Sequence, residues 1–466
     1  MKKTKLTISK IFASLFLISP LVFFFSYYPL ISFGSTESMN FELSLPLIWL
    51  VLFDICAAIL YFREYRKLPA LTLKLVLYLL FPIYVSLSIF WSPNFVRGFL
   101  TAGIIWLIFI AIYLSYKLAQ YLKPLKPNLV KSIFISSIAV ATWCWIQSIL
   151  DLAGLDRTQT LMCRGCATTT FGFPHPNGFA VEPQFMGNLL LAPTLLAIFY
   201  WVKKPSIRRA SILIFLSATL FFVFSRGAIY SFGLATILLL VCLVIRLKSA
   251  RPLLVIPFLL LSFVCSLNAQ GLMAAASSTN DTYWSGVFKS LDQMTLGVFD
   301  FKTEQQPTST AGPDADKTQE DTPSQESVFD GYVEISTVAR LTVSSASLRV
   351  WSNSPTNLFF GVGLGGSGQA LYQAGELSYQ SENGQNEYCT ILLEIGLVGA
   401  ILLVIVLFEI FKKVHLDTEY TPLLFAILLA YAVSIFFFSG VTNALHLYLM
   451  PIFWSGYISS SSSKNS

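Results

Sequence analysis

Long apolar runs, separated by polar linkers, follow one another along most of the chain. Twelve of them approach the roughly 20 residues that an α-helix needs to cross the hydrocarbon core of a bilayer. They lie at about 11–31, 43–62, 71–91, 99–118, 130–150, 185–202, 210–225, 228–245, 252–270, 388–411, 421–438 and 443–459. The pattern predicts an all-α polytopic membrane protein with about 12 transmembrane helices and one large external loop containing short helices.

The polar linkers alternate in charge. Every second linker is rich in Lys and Arg, which is the composition that marks the cytoplasmic loops of membrane proteins. The alternation predicts a multi-pass protein of the cytoplasmic membrane with both termini in the cytoplasm. The first run lacks a small-residue cleavage pattern, so we expect an uncleaved span rather than a signal peptide. The basic linkers contain Arg63, Arg66 and Lys67; Lys117, Lys123, Lys126 and Lys131; Lys203, Lys204, Arg208 and Arg209; Arg246, Lys248 and Arg251; and Lys412 and Lys413.

The apolar stretch at 210–245 is too long for one span. As a single helix it would measure roughly 50 Å, against a hydrocarbon core of about 30 Å, and both of its flanks are basic. The stretch must therefore fold back on itself, and its polar break is Ser225-Arg226-Gly227. This arithmetic predicts a tight turn that holds Arg226 at the outer membrane face.

The linker from Gly271 to Glu387 is the one large polar segment. Five basic and fourteen acidic residues give it a formal charge of −9, so the total of +6 leaves +15 for the rest of the chain. This positive charge lies mostly in the predicted cytoplasmic loops, which face anionic lipid. The net positive charge is thereby explained, and no nucleic-acid partner is expected. The predicted division is transmembrane helices 1–9 over 1–270, an extracytoplasmic module over 271–387, helices 10–12 over 388–459 and a cytoplasmic tail over 460–466.

The predicted module contains a flexible insert, 303–327, rich in Pro, Ser, Thr, Gln and Asp. Its Asp314-Ala315-Asp316 only superficially resembles the paired carboxylates of metal-dependent transferases, because a charged segment of this kind is solvated, so no metal is predicted. The flanking stretches 281–300 and 328–354 are compatible with short helices. Cys163 and Cys166, in an earlier external loop, leave a disulfide open, whereas zinc would need two further ligands.

The composition excludes a soluble globular enzyme, and the polar groups gather at the ends of the spans. Of 466 residues, 55% are hydrophobic and 12% charged, about half the charged fraction of soluble domains. Asp54, inside a span, either marks a path for a lipid-linked substrate or packs between helices. The glycine run within Phe360–Gly366 is either a tight loop or a backbone that approaches a ligand closely. Polar groups expected at the outer face are Arg97, Arg164, Glu182, Arg226, Arg349 and Gln385-Asn386-Glu387.

Four motifs around the outer face occur in a characteristic order. Arg164 precedes the stretch 171–183; Phe224-Ser225-Arg226-Gly227-Ala228 joins two spans; Leu348-Arg349-Val350-Trp351 precedes the glycine run; and Gln385-Asn386-Glu387-Tyr388 leads into 393–399. In these motifs, over roughly residues 90–400, the chain resembles the O-antigen ligase and O-antigen polymerase superfamily of bacterial membrane glycosyltransferases.

The resemblance implies a metal-independent transferase without a cofactor, working at the outer face of the cytoplasmic membrane. Its donor would be a glycan on a polyprenyl diphosphate, and its acceptor a glycan, a lipid or another component of the cell envelope. The acceptor hydroxyl would attack the anomeric carbon while the lipid diphosphate leaves. Arginine offers a planar fork of donors for phosphate oxygens, so Arg226, Arg349 and Arg164 are the candidates for a diphosphate clamp.

The group that would activate the acceptor is less clearly marked. The resembling ligases carry His-Asn where this chain has Gln385-Asn386, and a Gln side chain cannot take a proton at neutral pH. Glu387, Glu182 or Glu382 could be the base, with Gln385 orienting the acceptor, or activation could come mainly from leaving-group stabilisation. This difference from the His-Asn of the ligases favours polymerisation of lipid-linked repeat units. Transfer to lipid A-core, protein or cell wall is the alternative, and a transporter or flippase is the third hypothesis.

Overall fold

A computed structural model of the chain describes residues 2–25, 29–33, 41–66, 72–153, 169–170, 173–174, 176–180, 183–276, 284, 287–288, 335–378, 386–412 and 419–437. Within these ranges the protein is a bundle of apolar helices with two small antiparallel hairpins. The helices are α1 (Lys2–Phe23), α2 (Leu45–Tyr65), α3 (Leu73–Ser88), α4 (Phe95–Lys117), α5 (Ala119–Leu122), α6 (Lys126–Leu152), α7 (Pro183–Lys203), α8 (Ile207–Phe222), α9 (Arg226–Leu247), α10 (Val255–Ala276), α11 (Ile335–Ser352), α12 (Pro355–Phe360), α13 (Ser367–Gln373), α14 (Glu387–Lys412) and α15 (Thr421–Ser434). The strands are β1 (Pro29–Phe33), β2 (Phe41–Ser44), β3 (Thr169–Thr170) and β4 (Phe173–Pro174).

Eight helices in the described part of the chain are long and apolar enough to cross a bilayer, which confirms a polytopic, predominantly helical membrane protein. The predicted total of about twelve is not confirmed. Helices α1, α8 and α15 occupy three further predicted spans, but their apolar parts are shorter. The predicted span 443–459 lies outside the described residues. The eight helices are Leu45–Tyr65, Leu73–Trp91, Phe95–Lys117, Lys126–Leu152, Pro183–Lys203, Arg226–Leu247, Arg251–Ala276 and Glu387–Glu409.

The first span ends earlier than predicted. The apolar pattern extends the helix to about residue 31, but α1 ends at Phe23. Residues Pro29–Phe33 instead form β1, which pairs with β2 just before α2 begins. Residues Pro29–Phe33 therefore satisfy their backbone groups in a hairpin rather than in another helical turn, a choice that hydrophobicity alone does not reveal.

The predicted fold-back within 210–245 is confirmed. Helix α8 ends at Phe222 and α9 begins at Arg226. Between them, Phe224 has a left-handed backbone (φ 51°), and the Ser225 side chain caps α9 by accepting from the Ala228 N–H at 3.5 Å. Only three residues separate the helices, so Arg226 is held at one end of the bundle.

Chain direction places the basic linkers together at one end of the bundle, which we call the basic end. There the Lys203 ammonium lies 2.7 Å from the Glu419 carboxylate, and the Tyr65 hydroxyl donates to the Lys117 carbonyl at 3.1 Å. Arg208 is exposed in the first turn of α8, at the same end. The α8–α9 turn and helices α11–α13 therefore lie at the opposite end.

Helix α7 is the centre of the bundle. In its most apolar 18-residue stretch, 89% of the residues are buried, whereas only 22% are buried in the corresponding stretch of the span Arg251–Ala276, which contains α10. Helix α7 packs against α8, α9 and α15, so its first turn lies among the ends of those helices. Helix α11 agrees with the short helix expected in 328–354, but the insert 303–327 and the tail 460–466 lie outside the described residues, and the domain boundaries stay a prediction.

Candidate functional site

Helix α9 starts against α7 with almost no space between the two backbones. A Cβ added to Gly187 of α7 would lie 2.6 Å from the Cβ of Ala228 in α9. Gly227 and Ala228 are buried, while Arg226 is half-buried. The close crossing therefore fixes the first turn of α9 and the point at which the Arg226 side chain leaves the bundle.

Three further elements meet the start of α9 and form what we call the arginine junction, defined by Gln184, Arg226, Arg340 and Phe437. The Arg340 guanidinium of α11 donates to the Gln184 side-chain oxygen at 3.1 Å. The Gln184 amide donates in turn to the Phe437 carbonyl at 2.9 Å, and the Phe437 ring lies against Gly227. The Arg340 guanidinium is thereby brought to the start of α9, where Arg226 is the residue directly before Gly227.

Arg349, in the same helix as Arg340, has a different neighbour. Its Nε donates to a carboxylate oxygen of Glu376 at 3.0 Å, and its side chain is 57% exposed. This hydrogen bond lowers the pKa of the Glu376 carboxyl and raises the pKa of the Arg349 guanidinium. An exposed ion pair of this kind contributes little to stability, so its role is to hold the Arg349 side chain toward the segment after α13.

A second polar group, the carboxylate cavity, is defined by Arg97, Glu387 and Glu394 around a space of about 100 Å³. Glu387 is 1% exposed and Glu394 8% exposed. The Ser367 backbone N–H donates to a carboxylate oxygen of Glu394 at 3.4 Å. The other walls are largely apolar side chains of α3, α4 and α14. One cation and two carboxyl groups therefore share a small space with little water to screen them.

The carboxylate cavity and the arginine junction are joined through the backbone. The N–H of Glu387, the first residue of α14, donates to the Ile435 carbonyl at 3.0 Å. Ile435 directly follows α15, two residues before Phe437 of the junction. The start of α14 thus lies between the two polar groups. Glu387 lines the carboxylate cavity with its side chain and contacts the segment of the arginine junction with its backbone.

Asn386 has a structural role at the same point. Its side-chain oxygen accepts from the backbone N–H groups of Tyr388 at 3.0 Å and Cys389 at 3.3 Å. These are orphan donors of the first turn of α14, so Asn386 caps the helix. Half of the Gln385-Asn386 motif is therefore explained by helix capping.

The glycine run is a tight loop in which the chain packs against itself. The N–H groups of Val362 and Gly363 donate to the Leu393 and Glu394 carbonyls at 2.8 and 2.9 Å. Those carbonyls are free because α14 is interrupted at Gly396, which has φ 61° and ψ −171°. A Cβ there would lie 2.5 Å from the Phe359 carbonyl carbon, so Gly396 permits a close approach of backbone to backbone.

Several predicted site residues, Arg164, Glu182 and Gln385, lie outside the described residues and stay predictions. Among the others, the structure brings Arg226 to the arginine junction and Glu387 to the carboxylate cavity, while Arg349 pairs with Glu376. The sequence pattern does not indicate Arg340, Gln184 or Glu394 as site residues, and it marks Arg97 only as a polar group of the outer face. Two signals in the sequence could have found them, because Arg340 shares a helix with Arg349 and Glu394 lies within the motif 393–399.

Asp54 stands apart from this site. It is buried in α2, and neither carboxylate oxygen has a hydrogen-bond partner among the described residues. It lines neither the carboxylate cavity nor the arginine junction. Its placement gives the substrate-path hypothesis no support within the described part of the chain.

Comparison with known families bears on the same region. Residues 211–404 match the family model described as O-antigen ligase. The matched range runs from α8 into α14 and includes Arg226, Arg340, Arg349, Glu387 and Glu394. No curated protein gives a significant match to the chain. This similarity points to a glycosyltransferase-like enzyme, and residues 211–404 of this multi-pass membrane chain are similar to the O-antigen ligase/polymerase superfamily.

Proposed function

We propose that the protein polymerises oligosaccharide repeat units carried on polyprenyl diphosphate, at the outer face of the cytoplasmic membrane and without a metal. The basic end would face the cytoplasm, in keeping with the positive-inside rule. The arginine junction and the carboxylate cavity would then face outward. Polymerases and ligases share the family, and the chain's Gln385 in place of the ligase His favours the polymerase.

The observation that carries the proposal is the placement of the Arg340 guanidinium, through Gln184 and Phe437, beside the start of α9, where Arg226 lies. A diphosphate leaving group gains negative charge as the glycosidic bond to it breaks, and guanidinium groups bind phosphate oxygens through paired N–H donors. Arg226 extends from the first turn of α9, where the helix dipole adds to its positive charge. Arg340 is held on Gln184. We assign these two arginines to the diphosphate, with Arg349 and Arg164 as the sequence-based alternatives.

Glu387 is our candidate for the general base. In this scheme the acceptor hydroxyl transfers its proton to the Glu387 carboxylate as its oxygen bonds to the anomeric carbon, and the diphosphate leaves with the electron pair of the broken bond. The Glu387 backbone N–H donates to the Ile435 carbonyl beside the junction, and Glu387 lines the carboxylate cavity together with Arg97. Glu182 and Glu382 stay alternative bases, and Gln385 a group that orients the acceptor.

The remaining alternatives make different demands on the fold. A ligase would use the same donor site and transfer once, onto lipid A-core, protein or cell wall. A transporter uses broken helices whose free carbonyls face a substrate path. The break in α14 does not fit that pattern, because its free carbonyls at Leu393 and Glu394 accept from the glycine loop.

The test is transfer by the purified protein in lipid nanodiscs, with a polyprenyl-diphosphate oligosaccharide as substrate and EDTA present throughout. A ladder of longer products is expected for a polymerase, and a single addition to a supplied acceptor for a ligase. Arg226→Ala should lower the rate about 100-fold or more, as for loss of a donor to a developing anion. The rate of Arg226→Lys should lie between those of the wild type and Arg226→Ala, because lysine keeps the positive charge without the planar fork of N–H donors.

Arg208→Ala is the matched control, because Arg208 is an exposed arginine at the basic end. It should leave the rate unchanged. Long products from Arg226→Ala at the wild-type rate would overturn the role of Arg226. Dependence of the reaction on an added divalent cation would overturn the metal-free mechanism.

A further inference from the structure

A wide groove lies on the other side of the glycine loop from the carboxylate cavity. It occupies about 910 Å³ between the end of α3 and helices α11–α13. We call it the aromatic groove and define it by Tyr84, Trp91, Asn353, Asn357, Phe360 and Gln373. Its volume is at the upper end of the range of about 300–1,000 Å³ typical of small-molecule sites.

The groove offers aromatic surface at one wall. Trp91 is 42% exposed, although it ends a helix long enough to cross the membrane, and its ring packs edge-on against Tyr84. The Tyr84 hydroxyl donates to the Ile395 carbonyl at 2.9 Å, which fixes the Tyr84 ring against α14. The indole N–H of Trp91 has no hydrogen-bond partner within the described ranges, so it is a free donor beside an accessible ring face.

The facing wall supplies amide groups. Asn357 uses its amide N–H to reach the Val350 carbonyl at 3.1 Å, which turns its side-chain oxygen away from that bond. Asn353 and Gln373 are exposed, and their side chains have no hydrogen-bond partner in the part of the chain that the structure describes. The groove therefore combines fixed aromatic faces with amides that can both donate and accept.

The lack of charge on the side chains described as lining the groove limits the class of ligand that it can bind. None of the residues described as lining the groove has a charged side chain. A diphosphate needs cations, and a polyprenyl chain gains nothing from three amide side chains. A neutral sugar has C–H faces that stack on aromatic rings and hydroxyl groups that exchange hydrogen bonds with amides. Its chemistry matches both walls.

From this combination we infer that the aromatic groove binds neutral sugar residues of the acceptor glycan, an inference that rests on the proposed glycosyl transfer. The position supports it. Gly361 and Val362 line the groove, while Leu364 and Gly365, a few residues on, line the carboxylate cavity. A glycan in the groove is thus held one loop away from Glu387, with room for several of its sugar residues.

The first test measures binding without transfer. Lipid-free repeat-unit oligosaccharide, cut from the envelope polysaccharide of the strain that carries the gene, is added to the protein in nanodiscs and followed by saturation-transfer NMR. Trp91→Ala should weaken binding about tenfold, given the energies of aromatic contacts. Trp91→Phe should restore most of the affinity. Gln373→Ala, which alters an exposed side chain, should weaken binding with no change in melting temperature.

Phe90→Ala is the matched control. Phe90 is the adjacent aromatic residue, is 79% exposed and does not line the groove, so its loss should leave binding unchanged. Unaltered binding in both Trp91→Ala and Gln373→Ala would overturn the inference. Saturation transfer from the protein to the nanodisc lipid, with none to the oligosaccharide, would show a lipid site. That result would also overturn the inference.

The transfer assay separates this inference from the proposed function. If both hold, Trp91→Ala raises KM for the acceptor while kcat is retained. Transfer by the wild type with a KM unaffected by Trp91→Ala would leave the proposed function standing and reject the groove. Binding that depends on Trp91 without any transfer by the wild type would keep a sugar-binding groove and reject the proposed reaction.

Discussion

Two arginines of one helix have different neighbours because of their spacing. Arg340 and Arg349 are nine residues apart in α11, about two and a half helical turns, so their side chains leave opposite faces. One face meets Gln184 at the arginine junction and the other meets Glu376. Sequence motifs draw attention to Arg349, whereas the packing of α11 brings Arg340 to Gln184 at the arginine junction.

This difference predicts the outcome of a pair of substitutions. Arg340→Ala should reduce glycosyl transfer about 100-fold, because it removes a cation from the junction proposed to hold the diphosphate. Arg349→Ala should reduce transfer much less, because its guanidinium is held by Glu376. Both are measured as kcat/KM in nanodiscs at equal amounts of folded protein. The reverse ranking would return the clamp to Arg349 and contradict the assignment of Arg340.

At the scale of elements, the interrupted helix α14 and the glycine loop form one unit. The break at Gly396 frees two carbonyls, the loop bonds to them, and the Ser367 N–H beyond the loop bonds to Glu394. The start of α4 contacts the same loop, since a Cβ on Gly365 would lie 2.7 Å from the Gly98 nitrogen. The loop therefore fixes α4, α13 and α14 relative to one another, and with them Arg97 and Glu394.

The unit predicts that Gly396 tolerates no side chain. Gly396→Ala should destabilise the protein by roughly 1–3 kcal/mol from backbone strain alone, with a further loss from the clash with Phe359. Thermal unfolding in detergent, followed by the exposure of buried cysteines to a fluorescent maleimide, measures the change.

Gly233→Ala is the control for that experiment. A Cβ on Gly233, within α9, would meet nothing within 4 Å, so this change should be neutral or slightly stabilising. Equal melting temperatures for Gly396→Ala and the wild type would contradict the account of the loop.

For the whole molecule, the distribution of polar groups between the two ends matters most. Basic linkers lie at one end, while the arginine junction, the carboxylate cavity and the aromatic groove lie at the other. A lipid-linked donor could thus keep its polyprenyl chain in the bilayer and present its diphosphate and sugars to the site from the same side.

The proposed orientation can be tested by cysteine labelling in intact cells. Thr356→Cys, exposed on α12, should react with a membrane-impermeant maleimide, because the proposal places that end outside. Ser249→Cys, exposed between α9 and α10 at the basic end, should react only after the cells are permeabilised. The parent protein gives the background from its own cysteines. The opposite labelling pattern would invert the topology and remove the site from the outer face.

The sequence by itself determined the membrane class, eight of the spans and the turn at Ser225–Arg226, because these follow from hydrophobic length and from the thickness of the bilayer. The same rule misplaced the end of the first span, since apolar residues satisfy their backbone groups equally well in a hairpin. It also marked the glycine run and Gly396 without indicating that they contact each other.

Only the tertiary structure decided which polar groups share a space. Arg97 and Glu394 are nearly 300 positions apart in the chain, and Gln184 and Arg340 more than 150, so no local pattern connects them. Their meeting depends on helix packing, which is set by the summed fit of many side chains rather than by any one motif. Chemistry at this site therefore depends on contacts that hydropathy and spacing cannot supply.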